Sequence, residues 1–268
     1  MTAGTPGTGK TRDGDRVRHR VSVVVPVFNE AATVEQALER LVCVPFDKEV
    51  IVVDDGSEDG TDAILERILK RGWIDLLLKH ETNRGKGAAM RTAFKHVGGS
   101  VVVVLDADLE LDPADIPRLL APIEEGGAVA VYGTRDIRLR KGMMLRQYLG
   151  NKLITFVTNL CTNLRLTDVE TCYKMVRTDL LRTLELVSDR FTIDPEITIR
   201  LAQTGVPIHE VPISYRPRSH AEGKKITWKD GVAALWSIVR FTLFGPKPAR
   251  WDQTGTSERR PSPAGTAV

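Results

Sequence analysis

Short, nearly continuous apolar runs rich in β-branched residues recur along the first half of the chain. Such runs are typical of strands buried on both faces, because helices cover a parallel sheet above and below. Amphipathic segments with helical period lie between them, and four alternations of strand and helix predict an open α/β sheet. The predicted strands are Val21–Phe28, Glu49–Val53, Ile74–Leu78, Val101–Leu105 and Ala128–Tyr132. The predicted helices are Glu30–Val42, Thr61–Arg71, Gly87–His96 and Pro113–Glu124.

The second half of the chain is less regular. Its apolar spacing predicts two helices and then a strand, over Gln147–Leu164, Arg190–Gly205 and Val206–Tyr215. Residues 1–20 and 246–268 are rich in Gly, Pro, Ser, Thr and charge, without apolar periodicity, and are predicted to be disordered. A single domain is therefore expected over residues 21–245.

Polar clusters follow three of the predicted strands. They are Asn29 and Glu30 after the first, Asp54 and Asp55 after the second, and Asp106 and Asp108 after the fourth. In open α/β sheets ligands bind beyond the carboxyl ends of the strands. Acidic groups that converge on one edge from separate strands are hard to explain by solubility alone, so this edge is the predicted functional site.

The pair Asp106 and Asp108 is the first candidate for a metal site. Mg²⁺ and Mn²⁺ take carboxylate oxygens, and Mg²⁺ usually takes only one or two from the protein. Such an ion can neutralise the charge that develops on a leaving diphosphate, and Glu110 offers a third ligand. The pattern alone is weak, because Asp13 and Asp15 repeat it in the N-terminal arm and a surface turn would also explain it. Its position after a buried strand favours the metal site.

Two turns that contain glycine are further candidates. The carboxylates of Asp54 and Asp55 can accept hydrogen bonds from a nucleoside, while Gly56 allows a sharp turn; a helix cap is the structural alternative. The segment 83–87 places Arg84 and Lys86 beside glycines at a predicted helix start, where anions bind. For that segment a solvated turn is an equally good interpretation.

One match to a known motif is dismissed. Gly4–Thr11 reads GTPGTGKT and satisfies the phosphate-loop pattern, which would make an ATPase built on Lys10 conceivable. That motif works only between a buried strand and a helix. Only three residues precede it and a polar stretch follows, so the match is interpreted as chance.

Charge and cysteine content bear on the partners of the protein and on the compartment in which it works. The net charge of +3 is small for 268 residues, and the segment 1–20 accounts for the excess. This distribution argues against a nucleic-acid surface and suits weak attraction to an anionic membrane. Three widely spaced cysteines suggest a reducing compartment. No signal-peptide pattern and no apolar run of about 18–20 residues is present. A cytoplasmic protein, peripheral at the inner face of the membrane, is therefore predicted.

The segment Ile226–Phe244 mixes aromatic residues with flanking bases. It contains Trp228, Trp236, Phe241, Phe244, Lys229 and Arg240. This composition suits a helix that lies in a membrane interface. A core helix with exposed bases is the alternative, and the sequence alone favours it; a lipid acceptor would reverse that preference.

Eight motifs follow one another along the chain. In the first half these are VVVPVFNE (Val23–Glu30), IVVDDGSEDGT (Ile51–Thr61), NRGKGAAMRTAF (Asn83–Phe94) and VLDADLE (Val104–Glu110). In the second half they are YGTRD (Tyr132–Asp136), TDVETCYKM (Thr167–Met175), FTIDPEIT (Phe191–Thr198) and EVPISYRPRSHAEGKK (Glu210–Lys225). Taken in order, they resemble the motifs of inverting glycosyltransferases of family 2, which have the GT-A fold. Within the family the chain is most similar to dolichyl- or polyprenyl-phosphate mannose and glucose synthases.

The resemblance implies a nucleotide-binding half, residues 21–110, and an acceptor half, residues 111–245. The implied nucleoside-pocket residues are Pro26, Asn29, Glu30, Asp54 and Asp55. The implied metal ligands are Asp106, Asp108 and Glu110, with Asp106 also on the donor; Lys86 and Arg218 are implied near the diphosphate. On the acceptor side, Arg135 is implied near a lipid phosphate, together with Asp168 and Asp194. The usual Cys-Gly-Phe-Lys is altered to Cys172-Tyr173-Lys174, preceded by Glu170-Thr171.

The expected reaction is in-line displacement with inversion, from UDP-glucose first and GDP-mannose next, to a polyprenyl phosphate. That acceptor is already anionic near neutral pH, because the second phosphate pKa is about 6, so no strong base is needed. A saccharide, lipid or small-molecule hydroxyl acceptor would instead need Asp168 or Asp194 as general base. A non-catalytic module that binds sugar nucleotides is the alternative from a different class. The sequence does not reveal the oligomeric state.

Overall fold

The computed structural model describes residues 17–135, 145–218, 228–244, 247–251 and 257–258. Several sequence predictions fall on the rest of the chain. These are the phosphate-loop match Gly4–Thr11 with Lys10, most of the N-terminal arm, most of the C-terminal tail, and the bases Lys224 and Lys225.

The described chain alternates strands and helices as predicted. The strands are β1 (Val21–Val27), β2 (Lys48–Asp54), β3 (Leu76–Lys79), β4 (Val101–Val104), β5 (Ala130–Arg135), β6 (Lys174–Arg177), β7 (His209–Ile213), β8 (Arg250–Trp251) and β9 (Ser257–Glu258). The helices are α1 (Val34–Cys43), α2 (Thr61–Lys70), α3 (Lys86–Phe94), α4 (Ile116–Glu124), α5 (Leu145–Thr162), α6 (Thr178–Leu181), α7 (Ile193–Thr204) and α8 (Trp228–Leu243). A 3₁₀ turn over Pro113–Asp115 precedes α4.

Seven strands form one sheet in the order β3-β2-β1-β4-β6-β5-β7, and β8 pairs with β9 separately. β1 lies parallel to β2 on one side and to β4 on the other. The chain thus fills one side of β1 with β2 and β3, and then crosses to the other side for β4. Ligands bind at such a switch point in open α/β sheets.

The sheet is mixed rather than wholly parallel, because β6 lies between β4 and β5 and is antiparallel to both. β6 was not predicted from the sequence, since a four-residue strand within 174–177 has too little periodicity to be recognised. Its orientation has a consequence for the site. The amino end of β6 lies beside the carboxyl ends of β4 and β5, so the loop that precedes β6 opens at the predicted functional edge.

The core covers both faces of the sheet. β4 is buried along its whole length, as its unbroken valine run predicts. A second, smaller core joins α5, α7 and α8 through Ile154, Ile199, Ala234, Ile238 and Phe241. None of the helices in the described part of the chain is both long and apolar enough to cross a membrane.

Candidate functional site

The predicted site residues meet at one edge of the sheet. Asp54 ends β2, and Asp106 and Asp108 follow β4, with β1 alone between those two strands. Arg135 ends β5, which runs parallel to β7. The segment after β7 returns to the same edge through a bridge between Leu111 and Tyr215. Residues far apart in sequence therefore meet at this edge, where open α/β sheets have their ligand-binding crevice.

Arg218 connects the segment after β1 with the segment after β4. Its guanidinium lies 3.1 Å from Glu30 Oε2 and 3.3 Å from Asp108 Oδ2. Its backbone N–H donates to Glu110 Oε1 at 3.0 Å. The chain around Arg218 is held in place by the N–H of Arg216, which donates to the carbonyl of Glu110. Three sequence-predicted acids thus share one arginine.

A second chain of ion pairs crosses from the donor half to the acceptor half. Lys86, at the start of α3, lies 3.0 Å from Asp106 and 3.5 Å from Asp194. Asp194, in the first turn of α7, also lies 3.0 Å from Lys174. Although burial opposes its charge, the carboxylates of Asp106 and Asp194 raise the pKa of Lys86 well above its ordinary value. Lys86 is therefore a cation at every physiological pH.

The turn that precedes α3 depends on close backbone approach. Gly85 has φ +103° and Gly87 packs against the carbonyl of Ser188, so a side chain at either position would collide with the 188–190 segment. This packing fixes the α3 N-terminus, and with it Lys86, against the loop that leads into α7.

Asp54, the last residue of β2, and Asp55, the next residue, are both buried and hold turns. Asp54 Oδ1 accepts from the N–H of Ser57 at 3.0 Å. Asp55 accepts from the N–H groups of Arg84 and Gly85, at 3.0 and 2.7 Å, and contacts His80 Nδ1 at 2.6 Å. Asp55 thereby ties the end of β2 to the turn before Lys86. Neither acid caps α2, whose N-cap is Gly60 without a side-chain cap hydrogen bond, so the predicted helix cap is not found. Their predicted nucleoside contact stays a prediction.

The remaining nucleoside-pocket candidates lie close by. Asn29, with φ +49°, accepts from the N–H of Glu58 on Oδ1, and its own N–H donates to Ser57 Oγ. Pro26 lies within β1 opposite Val53. These contacts shape the rim of the crevice at the carboxyl ends of β1 and β2.

The acids after β4 have the chemistry of a hard-cation site. Burial first, and then the charges of Asp106 and Glu110, raise the pKa of Asp108 to about 7. Burial and the neighbouring carboxylates thus both disfavour the charged form of Asp108, and Arg218 opposes them only in part. Across the described residues, no three His, Cys, Asp or Glu side chains form a ready metal cluster. Asp106 and Asp108 nevertheless fit Mg²⁺ or Mn²⁺, because such ions are held by one or two carboxylates together with oxygens of the substrate.

On the acceptor side, Arg135 and Asp168 form a buried two-bond ion pair. Arg135 Nε and a terminal guanidinium nitrogen lie 2.7 and 2.8 Å from the two oxygens of Asp168, and Asn151 donates to the same carboxylate. Although burial opposes its charge, Arg135 holds the pKa of Asp168 below its ordinary value. Lys174 and Lys86 likewise lower the pKa of Asp194 against its burial. Both predicted base candidates are thus weak bases.

Glu170 is the residue that sequence reasoning failed to select. Burial first, and then the charge of Asp194, raise its pKa to about 7, which Lys174 and Arg135 only partly offset. It precedes the buried segment that leads into β6. The departure from the usual family motif at this position was the available signal, but without β6 its place in the crevice could not be inferred.

Comparison with known proteins identifies the family of the chain. The family model for "Glycosyl transferase family 2" matches residues 22–185. An undecaprenyl-phosphate mannosyltransferase from Micrococcus luteus is 31% identical over 243 residues, which cover 87% of this chain and 96% of the relative. An undecaprenyl-phosphate 4-deoxy-4-formamido-L-arabinose transferase from Pseudomonas fluorescens is 30% identical over 77% of this chain, and the chain spans 60% of that protein's length.

Among solved structures, glucosyl-3-phosphoglycerate synthase from Mycobacterium tuberculosis is similar in fold. Its complex with Mn²⁺, UDP and glucosyl-3-phosphoglycerate aligns with a TM-score of 0.62 at 19% identity, covering 85% of this chain and 81% of that one. The mixed seven-stranded sheet is therefore that of the GT-A glycosyltransferases, as the sequence predicted. The family match and the shared fold together establish that the chain belongs to glycosyl transferase family 2.

Proposed function

We propose that the protein transfers a hexose, with inversion, from a nucleotide diphosphate sugar to a polyprenyl phosphate. The observation that carries this proposal is the continuous line of charged side chains across the crevice, in which Lys86 contacts Asp106 on one side and Asp194 on the other. A donor phosphate bound at this edge would lie on the Asp106 side of Lys86, and an acceptor would lie on the Asp194 side.

The donor half supplies opposite charges in close proximity. Lys86 and Arg218 are the cations placed nearest Asp106 and Asp108. We assign to them the binding of the donor's diphosphate, whose charge grows as the sugar leaves. A Mg²⁺ or Mn²⁺ ion on Asp106 and Asp108 would neutralise that leaving charge. Glu30, Asn29, Pro26, Asp54 and Asp55 are proposed to shape the nucleoside end of the crevice.

The acceptor half is better suited to an acceptor that is already ionised. Asp168 and Asp194 are each paired with a buried cation, and a carboxylate with a lowered pKa removes a proton poorly. A phosphate with a second pKa of about 6 needs no such removal near neutral pH. The undecaprenyl-phosphate transferases that resemble this chain support the same acceptor class.

The identity of the donor nucleotide sugar is a separate point. The sequence resemblance favours UDP-glucose over GDP-mannose, whereas the Micrococcus relative is named a mannosyltransferase, which supports mannose as the sugar. Both nucleotides present the same diphosphate to Lys86 and Arg218. Discrimination between them therefore depends on the base and the sugar rather than on the charged centre.

A lipid acceptor also requires access to a membrane, and we propose peripheral contact at its inner face. α5 exposes Leu149, Leu153, Phe156 and Leu160, which are spaced four, three and four residues apart. α8, which packs against α5, exposes Val232, Trp236 and Leu243, followed by Phe244. α5 contains no acidic residue, and Lys152 and Arg240 are basic residues on these helices. Apolar side chains with nearby bases suit an anionic membrane surface.

The test is a transfer assay with short polyprenyl phosphate as acceptor. Purified protein with Mn²⁺ receives UDP-glucose or GDP-mannose, and the glycolipid product is separated and identified by mass. We expect product with one of the two donors, and none from polyprenol, which lacks the phosphate. Transfer to polyprenol or to a free saccharide, with no phosphate product, would reject the lipid-phosphate acceptor in favour of a hydroxyl.

A further inference from the structure

Glu170 is a carboxyl group in the crevice that the proposed reaction does not yet use. Its Oε1 is shielded from solvent and lacks any hydrogen-bond partner within the described parts of the chain. A buried polar atom without a partner costs free energy, so it requires an explanation. The residue as a whole is only partly buried, and the acceptor-side candidates Arg135 and Asp194 lie close enough to act on the charge of its carboxyl group.

The charged groups that face Glu170 are already matched with one another. They come from β5, the loop before β6, β6 itself and α7, and are Arg135, Asp168, Lys174 and Asp194. Arg135 lies 2.7 Å from Asp168, and Lys174 lies 3.0 Å from Asp194. The charges of these two cations and two carboxylates therefore cancel. Within the described structure, neither cation forms an ion pair with Glu170. A fifth charge would have no counter-ion, so the neutral acid is favoured.

A neutral carboxyl group is a hydrogen-bond donor, whereas an ionised one only accepts. Carboxylic acids that an apolar site keeps protonated can donate to an anion, and active sites use them in this way. A phosphate oxygen is a strong acceptor of such a bond. An ionised glutamate at the same position would repel it.

We propose that Glu170 keeps its proton and donates it in a hydrogen bond to the phosphate of the acceptor, so that it selects an ionised phosphate over a neutral hydroxyl. This assignment rests on the proposed function, because it presumes a phosphate acceptor. No proton is transferred: the acceptor oxygen forms its bond to the sugar carbon, the electron pair of the broken bond leaves with the nucleoside diphosphate, and the Glu170 O–H bond persists.

The experiment compares E170Q and E170A with the wild-type protein in the transfer assay, from about pH 5.5 to about pH 9. Glutamine keeps a donor group but cannot ionise, whereas alanine removes the donor. Wild-type kcat/KM for farnesyl phosphate should fall as pH rises through about 7, since Glu170 then ionises. E170Q should stay within about threefold of wild type near pH 6.5 and lose this alkaline decline. E170A should lose about tenfold to a hundredfold near pH 6.5, with KM for the donor unchanged.

Glu39→Gln is the matched control, because Glu39 is an exposed glutamate on α1, away from the crevice. It should reproduce the wild-type pH profile. Loss of activity in E170Q as deep as in E170A at every pH would overturn the proposal, since a base would then be required. Wild-type activity in E170A would overturn it as well. If E170A does not fold, as judged by thermal unfolding, the pH profile of E170Q alone decides.

The two proposals fail separately. A wild-type protein that makes no product from any polyprenyl phosphate, but transfers sugar to a hydroxyl, refutes the proposed function. A wild-type protein that uses the phosphate normally, together with an inactive E170Q, refutes only the role of Glu170.

Discussion

The nucleotide-binding half and the acceptor half bring polar side chains to the same edge by different routes. In residues 21–110, the acids follow the carboxyl ends of their own parallel strands within a few residues. In residues 111–245, the loop before the antiparallel β6 contributes Asp168 and Glu170, and the segment after β7 contributes Arg218. The first route follows from the local sequence, whereas the second depends on how distant segments pair.

The two halves also differ in how their charges are compensated. Burial first, and then the nearby carboxylates of Asp106 and Glu110, raise the pKa of Asp108 to about 7. Around Asp168 and Asp194 buried cations match the carboxylates and lower their pKa values. The acids of the donor half would therefore gain from a bound cation, whereas Asp168 and Asp194 already have cationic partners within the described structure.

The largest expected effect tests that asymmetry. Asp108→Ala should lower kcat by about a thousandfold or more, because the carboxylate proposed to hold the cation beside the leaving diphosphate is lost. The measurement is steady-state transfer with saturating donor and titrated Mn²⁺. Asp47→Ala, an exposed aspartate before β2, serves as the control and should remain active. Full activity of the Asp108 variant in the presence of a chelator would show that neither this carboxylate nor a bound cation has a role in catalysis.

The second prediction concerns the acceptor half, in which cations are paired with the carboxylates. Asp168→Asn should destabilise the fold by about 3–5 kcal/mol, because Arg135 would remain buried without its partner. Urea unfolding measures this change. Replacing both residues, as in R135M with D168L, should cost less than D168N alone, since no uncompensated charge remains. Equal stability of D168N and wild type would mean that the acceptor half does not depend on its internal ion pairs.

The contrast explains what could be read from the sequence. The open α/β sheet and the five strands predicted between residues 21 and 132 are found, with ends that shift by up to three residues, because burial on both faces leaves a plain apolar signal. β6 was missed, and with it the mixed character of the sheet. The predicted strand Val206–Tyr215 shortens to His209–Ile213, and α7 begins three residues later than Arg190. The domain limits and the roles of the individual site residues stay predictions.

The ion pairs could not be predicted, since each joins positions far apart in the chain. Arg218 and Glu30 are 188 residues apart, and Arg135 and Asp168 are 33 apart. Periodicity reports which face of an element is buried, but not which loop lies opposite. The resemblance to a family supplied Lys86, Arg135 and Arg218 without their partners. The structure supplies those partners, and with them the reason why Asp168 is a poor base.

The third prediction concerns the pH dependence of stability. It distinguishes Glu170 from the neighbouring charged residues, which form ion pairs with one another. Its folded pKa of about 7 lies above the ordinary glutamate value of 4.5. The stability that this shift contributes is fully present below pH 4.5 and is lost as pH rises to about 7. E170Q should therefore gain about 1–3 kcal/mol over wild type as pH passes through that window, and the difference should then level off. Urea unfolding at several pH values measures it. A difference that does not vary with pH would contradict the raised pKa.

The smallest expected change in stability belongs to the apolar surface of α5. Phe156 and Leu160 are 65% and 74% exposed, so F156S with L160S should change the free energy of unfolding by only about 0.5 kcal/mol. Binding to vesicles that contain anionic phospholipid should nevertheless weaken by about tenfold or more, because two large apolar side chains are lost from the proposed contact. Sedimentation with vesicles measures this binding. Val42→Ser, on the exposed side of α1, is the matched control and should bind as wild type does.

If the double variant binds vesicles normally but loses transfer to detergent-dispersed acceptor, α5 contacts the acceptor or the rest of the enzyme rather than the membrane. The acceptor half would then resemble the donor half, in that its functional surface would lie wholly within the crevice.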